Sequence, residues 1–512
     1  MVKLEILNMN VNKSCGPDEI PPRILKELVK YLSAPITLLF NKTLECGVLP
    51  LDWKRAYISP IFKKGSKQHA ENYHPISLTS IICKLMEFFL KQIIMQHLLD
   101  QKLLSTKQHG FINGRSTTTQ LLKYLDKCAE IIANGGVVDT IYFDFSKAFD
   151  CVPHRRLIGK LESFGITGKI RNWIEAFLHG RTQVVKVNGA ESKSAPVISG
   201  IPQGSVLGPI LFIIYINDLL ENIDSEGLLY ADDTKIFHHI ATREDALNLQ
   251  ADIDSLENWS RLWLLTFHPD KCHVMTTGKF EKIMHTHRYS VYGKELDHVF
   301  EKKDLGVIMD SDLNFEQHIL SKVNKANSIM GLIRRSFNFL DGYLFKKLYV
   351  TFVRPHLEYA QSVWSPYLKK HINTKEKVQI RATKLVDGLA NLNYQERLRK
   401  LDLPTLTYRR MRGDMIELWK HFHTYDICIL SHNFQRYGRT NRRHDYQLIW
   451  NKPKDGIRGI QANSFYFRTI NTWNHLPKDV VSAKNIKNFK TLLDTAWTNE
   501  PNKYIHVTQS DS

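Results

Sequence analysis

The spacing of apolar residues predicts a mainly helical N-terminal region that contains one extended segment. A helical stripe with proline in its first turn begins at Pro21-Pro22. Residues 53–62 have the pattern of an extended segment, and residues 84–104 have that of a long helix. Another helix begins after Ser116 and ends at Gly135-Gly136, where glycine favours termination.

The pattern changes after residue 136 to short strands and short helices. Residues 137–145, mostly Val, Ile, Tyr and Phe, predict a buried strand, and 153–163 and 168–178 predict helices. A hairpin turns at Asn188-Gly189, the favoured tight-turn dipeptide, and a further strand pair is centred on 230–233. Beyond about residue 310 the chain becomes basic and helical.

The longest apolar run, 206–216, is too short to span a bilayer and contains Pro209, so it predicts a buried core helix. The seven cysteines are scattered without a C-x-x-C pair, which favours a reducing compartment over a disulfide framework. The first ten residues lack a signal-peptide pattern. We therefore expect an intracellular protein without a membrane role.

The charge balance is the unusual bulk property of this 512-residue chain. It has 70 Lys and Arg against 52 Asp and Glu, a net charge of +18 and a pI near 9.4. Such an excess favours a polyanionic partner, because phosphate neutralisation releases condensed counterions. A basic protein without a nucleic-acid partner is the alternative interpretation.

Three acids stand where the predicted strands end. Asp144 follows an apolar strand, and Asp232 and Asp233 lie between two apolar strands. Burying acids together is unfavourable unless cations neutralise them. Two Mg²⁺ ions about 3.5–4 Å apart would do so and would support in-line phosphoryl transfer. Adjacent aspartates in a turn can also be simple solvated turn formers, which is the alternative.

The segments around these acids resemble the catalytic boxes of reverse transcriptases, in the family's order. They are F-D-F-S-K-A-F-D at 143–150, G-I-P-Q-G-S-V-L-G-P at 200–209 and Y-A-D-D at 230–233. Further segments are similar to those of jockey-like non-LTR retrotransposons: 12–18, 60–65, 72–78, 108–111 and 466–477.

The resemblance implies roles for the acids and for two neighbours. Asp144, Asp232 and Asp233 would bind metal and form the catalytic triad. The carbonyl of Phe145 would add a metal ligand, and Lys271 would donate a proton to the pyrophosphate leaving group.

It also implies substrate-binding residues. Phe149 matches the steric gate that excludes a ribose 2′-hydroxyl, with a core aromatic as the alternative. Gln203 and Gly204 match the segment beneath the templating base pair, with a simple turn as the alternative. Lys63 or Lys64 would reach the triphosphate, unless both are solvated turn lysines.

Two positions depart from the family pattern, which has arginine where this chain has His74 and Ile112. A neutral histidine at the triphosphate cannot make the forked contact of an arginine. Losing one charge-assisted contact would weaken nucleotide binding by about 1.5–3 kcal/mol. This departure keeps open a weakened or silent copy.

The implied fold is a right-hand polymerase of the α/β (α+β) class, with fingers, an antiparallel-sheet palm and a helical thumb. The expected divisions are an N-terminal leader (1–11), an N-terminal extension with fingers (12–135), a palm with the acids (136–280), a primer-grip region (281–320) with the turn Leu305-Gly306-Val307, a thumb (321–400) and a basic C-terminal extension (401–512).

The resemblance implies an RNA-directed DNA polymerase that extends a primer 3′-end with deoxynucleotides, using two Mg²⁺ ions or alternatively Mn²⁺. Its partners would be an RNA template, a DNA primer or target DNA, and the element RNA in a ribonucleoprotein, in the nucleus and cytoplasm. A silent nucleic-acid-binding remnant is one alternative. An RNA-dependent RNA polymerase is another, which Phe149 and the Q-G-S box disfavour. The relatives' endonuclease domain is expected to be absent.

Overall fold

The N-terminal region is helical, as predicted, in a computed structural model that describes residues 1–63, 65–278, 287–424, 434–436, 444, 446–450 and 459–506. Its elements are α1 (Val2–Asn8), α2 (Pro22–Glu27), α3 (Val29–Cys46), α4 (Leu51–Lys54), β1 (Arg55–Phe62), β2 (Tyr73–Leu78), α5 (Ile81–Asp100) and α6 (Thr117–Ala133).

Local capping explains where these helices begin. The predicted helix over 84–104 begins earlier, at Ile81, because the Ser80 hydroxyl accepts the Cys83 N–H at 3.2 Å. Helix α6 begins after Ser116, as predicted, in a capping box that Ser116 forms with Thr119. The stripe after Pro21 forms two helices, α2 and α3, that are separated by Leu28.

A first sheet joins the N-terminal region to the predicted hairpin. It contains β2, β1, β4 (Arg181–Val187) and β5 (Ala190–Glu191) in that order, and β6 (Ala195–Val197) also pairs with β4. Strands β1 and β4 are parallel, with Arg55 opposite Thr182. The buried Arg181 guanidinium donates to the Trp53 carbonyl at 3.2 Å, which secures this junction.

The second sheet carries the acids. Its order is β12 (Asp297–His298), β9 (His273–Thr277), β3 (Val138–Phe143), β8 (Asp233–His239) and β7 (Glu226–Tyr230). All its pairings are antiparallel except that of β12 with β9. The central strand β3 is buried along its whole length, as predicted.

The two faces of this sheet contribute to two separate cores, because neighbouring side chains of a strand point to opposite faces. Ile141 and Phe143 belong to one core and Tyr142 to the other. The first core includes the predicted apolar helix α10 (Gly208–Tyr215). The other helices of this region are α7 (Ala148–Cys151), α8 (His154–Ser163), α9 (Gly168–Leu178) and α11 (Arg243–Trp263).

The rest of the chain is mainly helical, as predicted, and has additional short strands. The strands are β10 (Ser290–Val291), β11 (Lys294–Glu295), β13 (Glu301–Asp304), β14 (Val307–Asp310), β15 (Phe434–Arg436) and β16 (Leu448–Trp450). The helices are α12 (Glu316–Ser336), α13 (Gly342–Leu348), a π-helical turn (Tyr349–Val353), α14 (Arg354–Glu358), α15 (Lys369–Thr383), α16 (Tyr394–Leu401), α17 (Leu406–His423), α18 (Gly459–Ala462), α19 (Phe465–Asn474), α20 (Lys478–Val481) and α21 (Ile486–Ala496).

The architecture is therefore a mixed α/β fold, in agreement with the predicted class. Among the described residues, no helix combines the length and apolar character needed to cross a bilayer.

Candidate active site

Strand pairing brings the three acids to one rim of the second sheet. Asp144 directly follows β3, Asp232 lies in the connection between β7 and β8, and Asp233 is the first residue of β8. Phe143 is opposite Thr234 in the register of β3 and β8. Continuing that register by one residue brings Asp144 opposite Asp233. The acids are distant in sequence but adjacent in the sheet.

The segment 108–111 packs against the turn that carries the acid pair and holds it by hydrogen bonds. The Gln108 side-chain oxygen accepts the N–H groups of Gly110 at 2.7 Å and Ala231 at 3.0 Å. Ala231 has a φ of 52°, a left-handed conformation that needs such support. A Cβ on Gly110 would lie 2.4 Å from the Ala231 nitrogen, so only glycine fits this approach.

The carboxylates of this rim perturb one another. Desolvation, assisted by Asp144, raises the pKa of Asp232. Desolvation and the charges of Asp232, Asp304 and Asp144 raise the pKa of Asp233 to about 6. The Asp233 side chain is nevertheless exposed, so it is only partly removed from water at the rim and is not enclosed in a core. Burial is the largest cause of both shifts, and the neighbouring carboxylates add to it.

Carboxylate oxygens are good ligands for a hard divalent cation, and a bound cation would reduce the repulsion between neighbouring carboxylates. In the part of the chain that the structure describes, no three His, Cys, Asp or Glu side chains are arranged as a metal cluster. Phe145 is buried, and its ring stacks on Phe267 at 4.6 Å.

Lys271 lies beside the acids, as the sequence predicts. Its ammonium is 3.5 Å from an Asp144 carboxylate oxygen, and both side chains are about half exposed. An exposed pair of this kind contributes little to stability.

A cleft of about 1230 Å³ opens in front of the acids. The predicted site residues that line it are Lys63, His74, Asp144, Phe145, Phe149, Gln203, Gly204, Asp232 and Lys271. Asp233 is on the rim and does not line the cleft, and Lys64 lies outside the described residues. Lys63 and Asp232 both line the cleft, and the positive charge of Lys63 opposes the upward shift of the Asp232 pKa.

One wall of the cleft is formed by Phe149 and the turn at 203–204. The Phe149 ring is half-buried and stacks on Phe212, with centroids 4.3 Å apart. The Gln203 amide donates to Asp150 at 2.8 Å. Gly204 has a φ of +111°, and a Cβ there would lie 2.6 Å from the Ser77 carbonyl oxygen. The turn is thus packed directly against β2.

The two departures from the family pattern have different surroundings. His74 is exposed on β2 and lines the cleft. Ile112 is 6% exposed and belongs to the first apolar core. Only the first of these side chains faces the substrate space.

Sequence reasoning missed Glu87, which holds the segment 206–207 between the turn at 203–204 and α10. Its fully buried carboxylate accepts the N–H groups of Val206 at 2.6 Å and Leu207 at 3.0 Å. Burial raises the pKa of Glu87, and the two N–H groups oppose that shift. The available signal was a lone acid among apolar neighbours of a predicted helix.

The acids lie on paired strands beside a glycine turn, and such donors suit phosphoryl transfer with divalent cations. The chain belongs to the reverse transcriptase (RNA-dependent DNA polymerase) family, which matches residues 61–319, about half of the chain. This confirms the predicted family, whose members depend in general on divalent metal ions.

Individual relatives are similar over a larger part of the chain. A probable RNA-directed DNA polymerase from transposon BS of Drosophila melanogaster is 26% identical over 90% of this chain and 50% of its own length. The RNA-directed DNA polymerase from mobile element jockey of the same species is 27% identical over 76% of this chain and 43% of its own. The chain spans at most about half the length of these curated relatives.

Proposed function

We propose that this chain is an RNA-directed DNA polymerase of a non-LTR retrotransposon. The observation that carries the proposal is the pairing of β3 with β8, in which Phe143 lies opposite Thr234, so that the acids beside these two residues share one rim of the sheet. The names of the relatives, from transposon BS and the mobile element jockey, support the same activity. The reaction transfers a deoxynucleotidyl group to a primer 3′-end and releases pyrophosphate.

In this proposal Asp144, Asp232 and Asp233 hold two Mg²⁺ ions, with Mn²⁺ as the alternative and the Phe145 carbonyl as a further ligand. Support comes from the carboxylate donors and from the raised pKa values of Asp232 and Asp233. When bound, such ions lower the pKa of a primer hydroxyl and neutralise the leaving pyrophosphate.

The chain's own residues bind and orient the nucleotide. Lys63, with Lys64 beside it in sequence, contacts the triphosphate, and His74 faces the same space. Lys271, 3.5 Å from Asp144, holds a proton that it can give to the pyrophosphate.

The sugar and base are held by the wall of the cleft. Phe149, braced by Phe212, blocks the position of a ribose 2′-hydroxyl. The turn of Gln203 and Gly204 supports the new base pair, because glycine leaves room for close approach.

The second sheet and its helices form the palm (136–280) in this proposal. The preceding region (12–135) forms the fingers after a leader (1–11), and the primer-grip region (281–320), the thumb (321–400) and the C-terminal extension (401–512) follow. The partners are an RNA template, a DNA primer or target DNA, and element RNA in a ribonucleoprotein of the nucleus and cytoplasm. The net charge of +18 supports a nucleic-acid partner.

A second candidate is a silent nucleic-acid-binding remnant. It is favoured by His74, which stands in the cleft where the family has arginine. Its fold and basic surface would be retained while turnover is lost.

Primer extension distinguishes these candidates. The protein is given an RNA template, a DNA primer, Mg²⁺ and either deoxynucleotides or ribonucleotides. We expect extension with deoxynucleotides that is lost in Asp232→Asn and retained in Asp254→Asn, a change on the exposed face of α11. Binding of the template without extension would support the silent remnant, and preferential use of ribonucleotides would indicate an RNA polymerase.

A further inference from the structure

The hairpin of β13 and β14 is anchored to the strands that end in the acids. Lys302 and Asp304, two residues apart, point to the same side of β13. The Lys302 ammonium lies 5.9 Å from the Tyr142 ring centroid, and Asp304 forms an ion pair with Lys235. Tyr142 and Lys235 are cross-strand partners on β3 and β8. Strand β13 therefore crosses both acid-bearing strands just inside the rim.

The Lys235–Asp304 ion pair is buried in this crossing. Lys235 is 1% exposed and Asp304 is 7% exposed. The Lys235 ammonium also lies 4.5 Å from the Tyr124 ring centroid. A charged pair in such a place is poor evidence for stability, since apolar residues of similar volume often serve as well. The pair instead fixes the position of β13 relative to β8.

The ion pair connects the acids, through Lys235, with the hairpin turn, through Asp304. Lys235 is two residues from Asp233 and faces the same side of β8. Asp304 directly precedes the turn of Leu305 and Gly306, whose φ values are 44° and 85°.

The turn is also held by the helical region. The Tyr359 hydroxyl donates to the Leu305 carbonyl at 2.8 Å. A Cβ on Gly306 would lie 3.1 Å from the Tyr359 ring, so the ring packs closely on the turn.

We propose that Lys235 and Asp304 form a positioning pair, which sets the hairpin turn at Leu305 and Gly306 relative to the acids and so aligns the last nucleotide of the primer with Asp144 and Asp233. This inference rests on the proposed polymerase function. Neither residue of the pair touches the substrate. The charges of Lys235 and Asp304 act on Asp233 in opposite directions, so their joint removal displaces the primer end with little net change in charge beside the acids.

The test replaces the pair by apolar residues in the variant Lys235→Met/Asp304→Leu. The matched control is Arg468→Met/Asp414→Leu, which removes another poorly exposed ion pair, at 3.0 Å, in the C-terminal helices. We expect both variants to bind primer–template with a Kd within about twofold of the original protein. Only the first should lose kcat, by about tenfold to a hundredfold, as for a reacting group misplaced by about 1 Å.

A second readout does not need turnover. A primer ending in 2-aminopurine reports the surroundings of its last base by fluorescence in the complex. The Lys235→Met/Asp304→Leu variant should change that signal, and the control should not. If the paired replacement does not fold, Asp304→Glu supplies the same test, because it keeps the charge and lengthens the link to the turn.

An unchanged kcat and unchanged fluorescence in a folded variant would overturn the positioning role. An original protein that binds primer–template without extending it would overturn the polymerase proposal instead. In that case the fluorescence of the bound primer end still decides whether the pair positions it.

Discussion

The substitution Gly204→Ala tests how closely the turn beside Phe149 is packed. The backbone at Gly204 has a φ of +111°, where a residue with a side chain is strained. Its added methyl group would lie 2.6 Å from the Ser77 carbonyl oxygen, a backbone atom of β2 that cannot rotate away. The turn must therefore move away from β2.

That movement has two energetic parts. The strained φ costs about 1–3 kcal/mol. Moving the turn also breaks the hydrogen bond from the Ser77 N–H to the Gln203 carbonyl, which is 2.7 Å long. Losing one such bond costs about 0.5–1.5 kcal/mol. A factor of ten in rate corresponds to 1.36 kcal/mol, so the loss of the same amount of nucleotide contact in the transition state would lower kcat/KM by about twofold to tenfold.

Denaturant unfolding measures the loss of stability, and single-nucleotide extension kinetics measure the effect of the displaced turn on kcat/KM. The control is Gly189→Ala, at a φ of +85° with no neighbouring atom within 4 Å of the added Cβ. It carries backbone strain without a clash and lies in the β4–β5 turn, so it should lose stability and keep kcat/KM. A folded Gly204→Ala protein with kcat/KM within about twofold of the original would refute the role of this turn in nucleotide binding.

Burial lowers the pKa of His109 to about 3, so the folded protein keeps it neutral while the unfolded chain binds a proton below about pH 6.5. The contribution of His109 to the free energy of unfolding is therefore highest above pH 6.5 and decreases as the pH is lowered, by about 2 kcal/mol at pH 5. His109→Gln should weaken the dependence of the unfolding free energy on pH. An unchanged dependence would contradict this. Lys271→Met should change unfolding free energy by less than about 1 kcal/mol and slow pyrophosphate release at least about tenfold. Lys294→Met, at another exposed ion pair, is its control, and equal rates in both would exclude proton donation. Phe149→Val should raise ribonucleotide incorporation relative to deoxynucleotides about tenfold or more in competition assays; unchanged discrimination would leave Phe149 a core aromatic.

The elements that the sequence predicts correctly are those with a local signal. Ser116 caps α6 within its own first turn, and Asn188 and Gly189 adopt the positive φ values of 50° and 85° that their tight turn requires. A capping hydroxyl or a turn glycine acts on neighbours a few residues away. Such signals remain visible without knowledge of the fold.

Contacts between distant segments have no such signal. Nothing near Arg55 indicates that β1 pairs in parallel with β4, more than a hundred residues later. Glu87 has the appearance of a solvated helix residue until the fold buries it under the turn at 206–207. The strands that carry the acids have a local apolar signal, whereas the residues that hold the surroundings of the acids depend on pairing.

Net charge is a property of the whole chain and does not predict the charge of one site, because that charge depends on which side chains the fold brings together. The cleft is balanced in charge, since its lining has four lysines (Lys63, Lys67, Lys147 and Lys271) and four acids (Glu71, Asp144, Asp150 and Asp232). A nucleoside triphosphate would meet no net attraction there unless divalent cations were bound at the acids. In the proposed mechanism the cations are therefore needed for the substrate to bind, before any bond is formed.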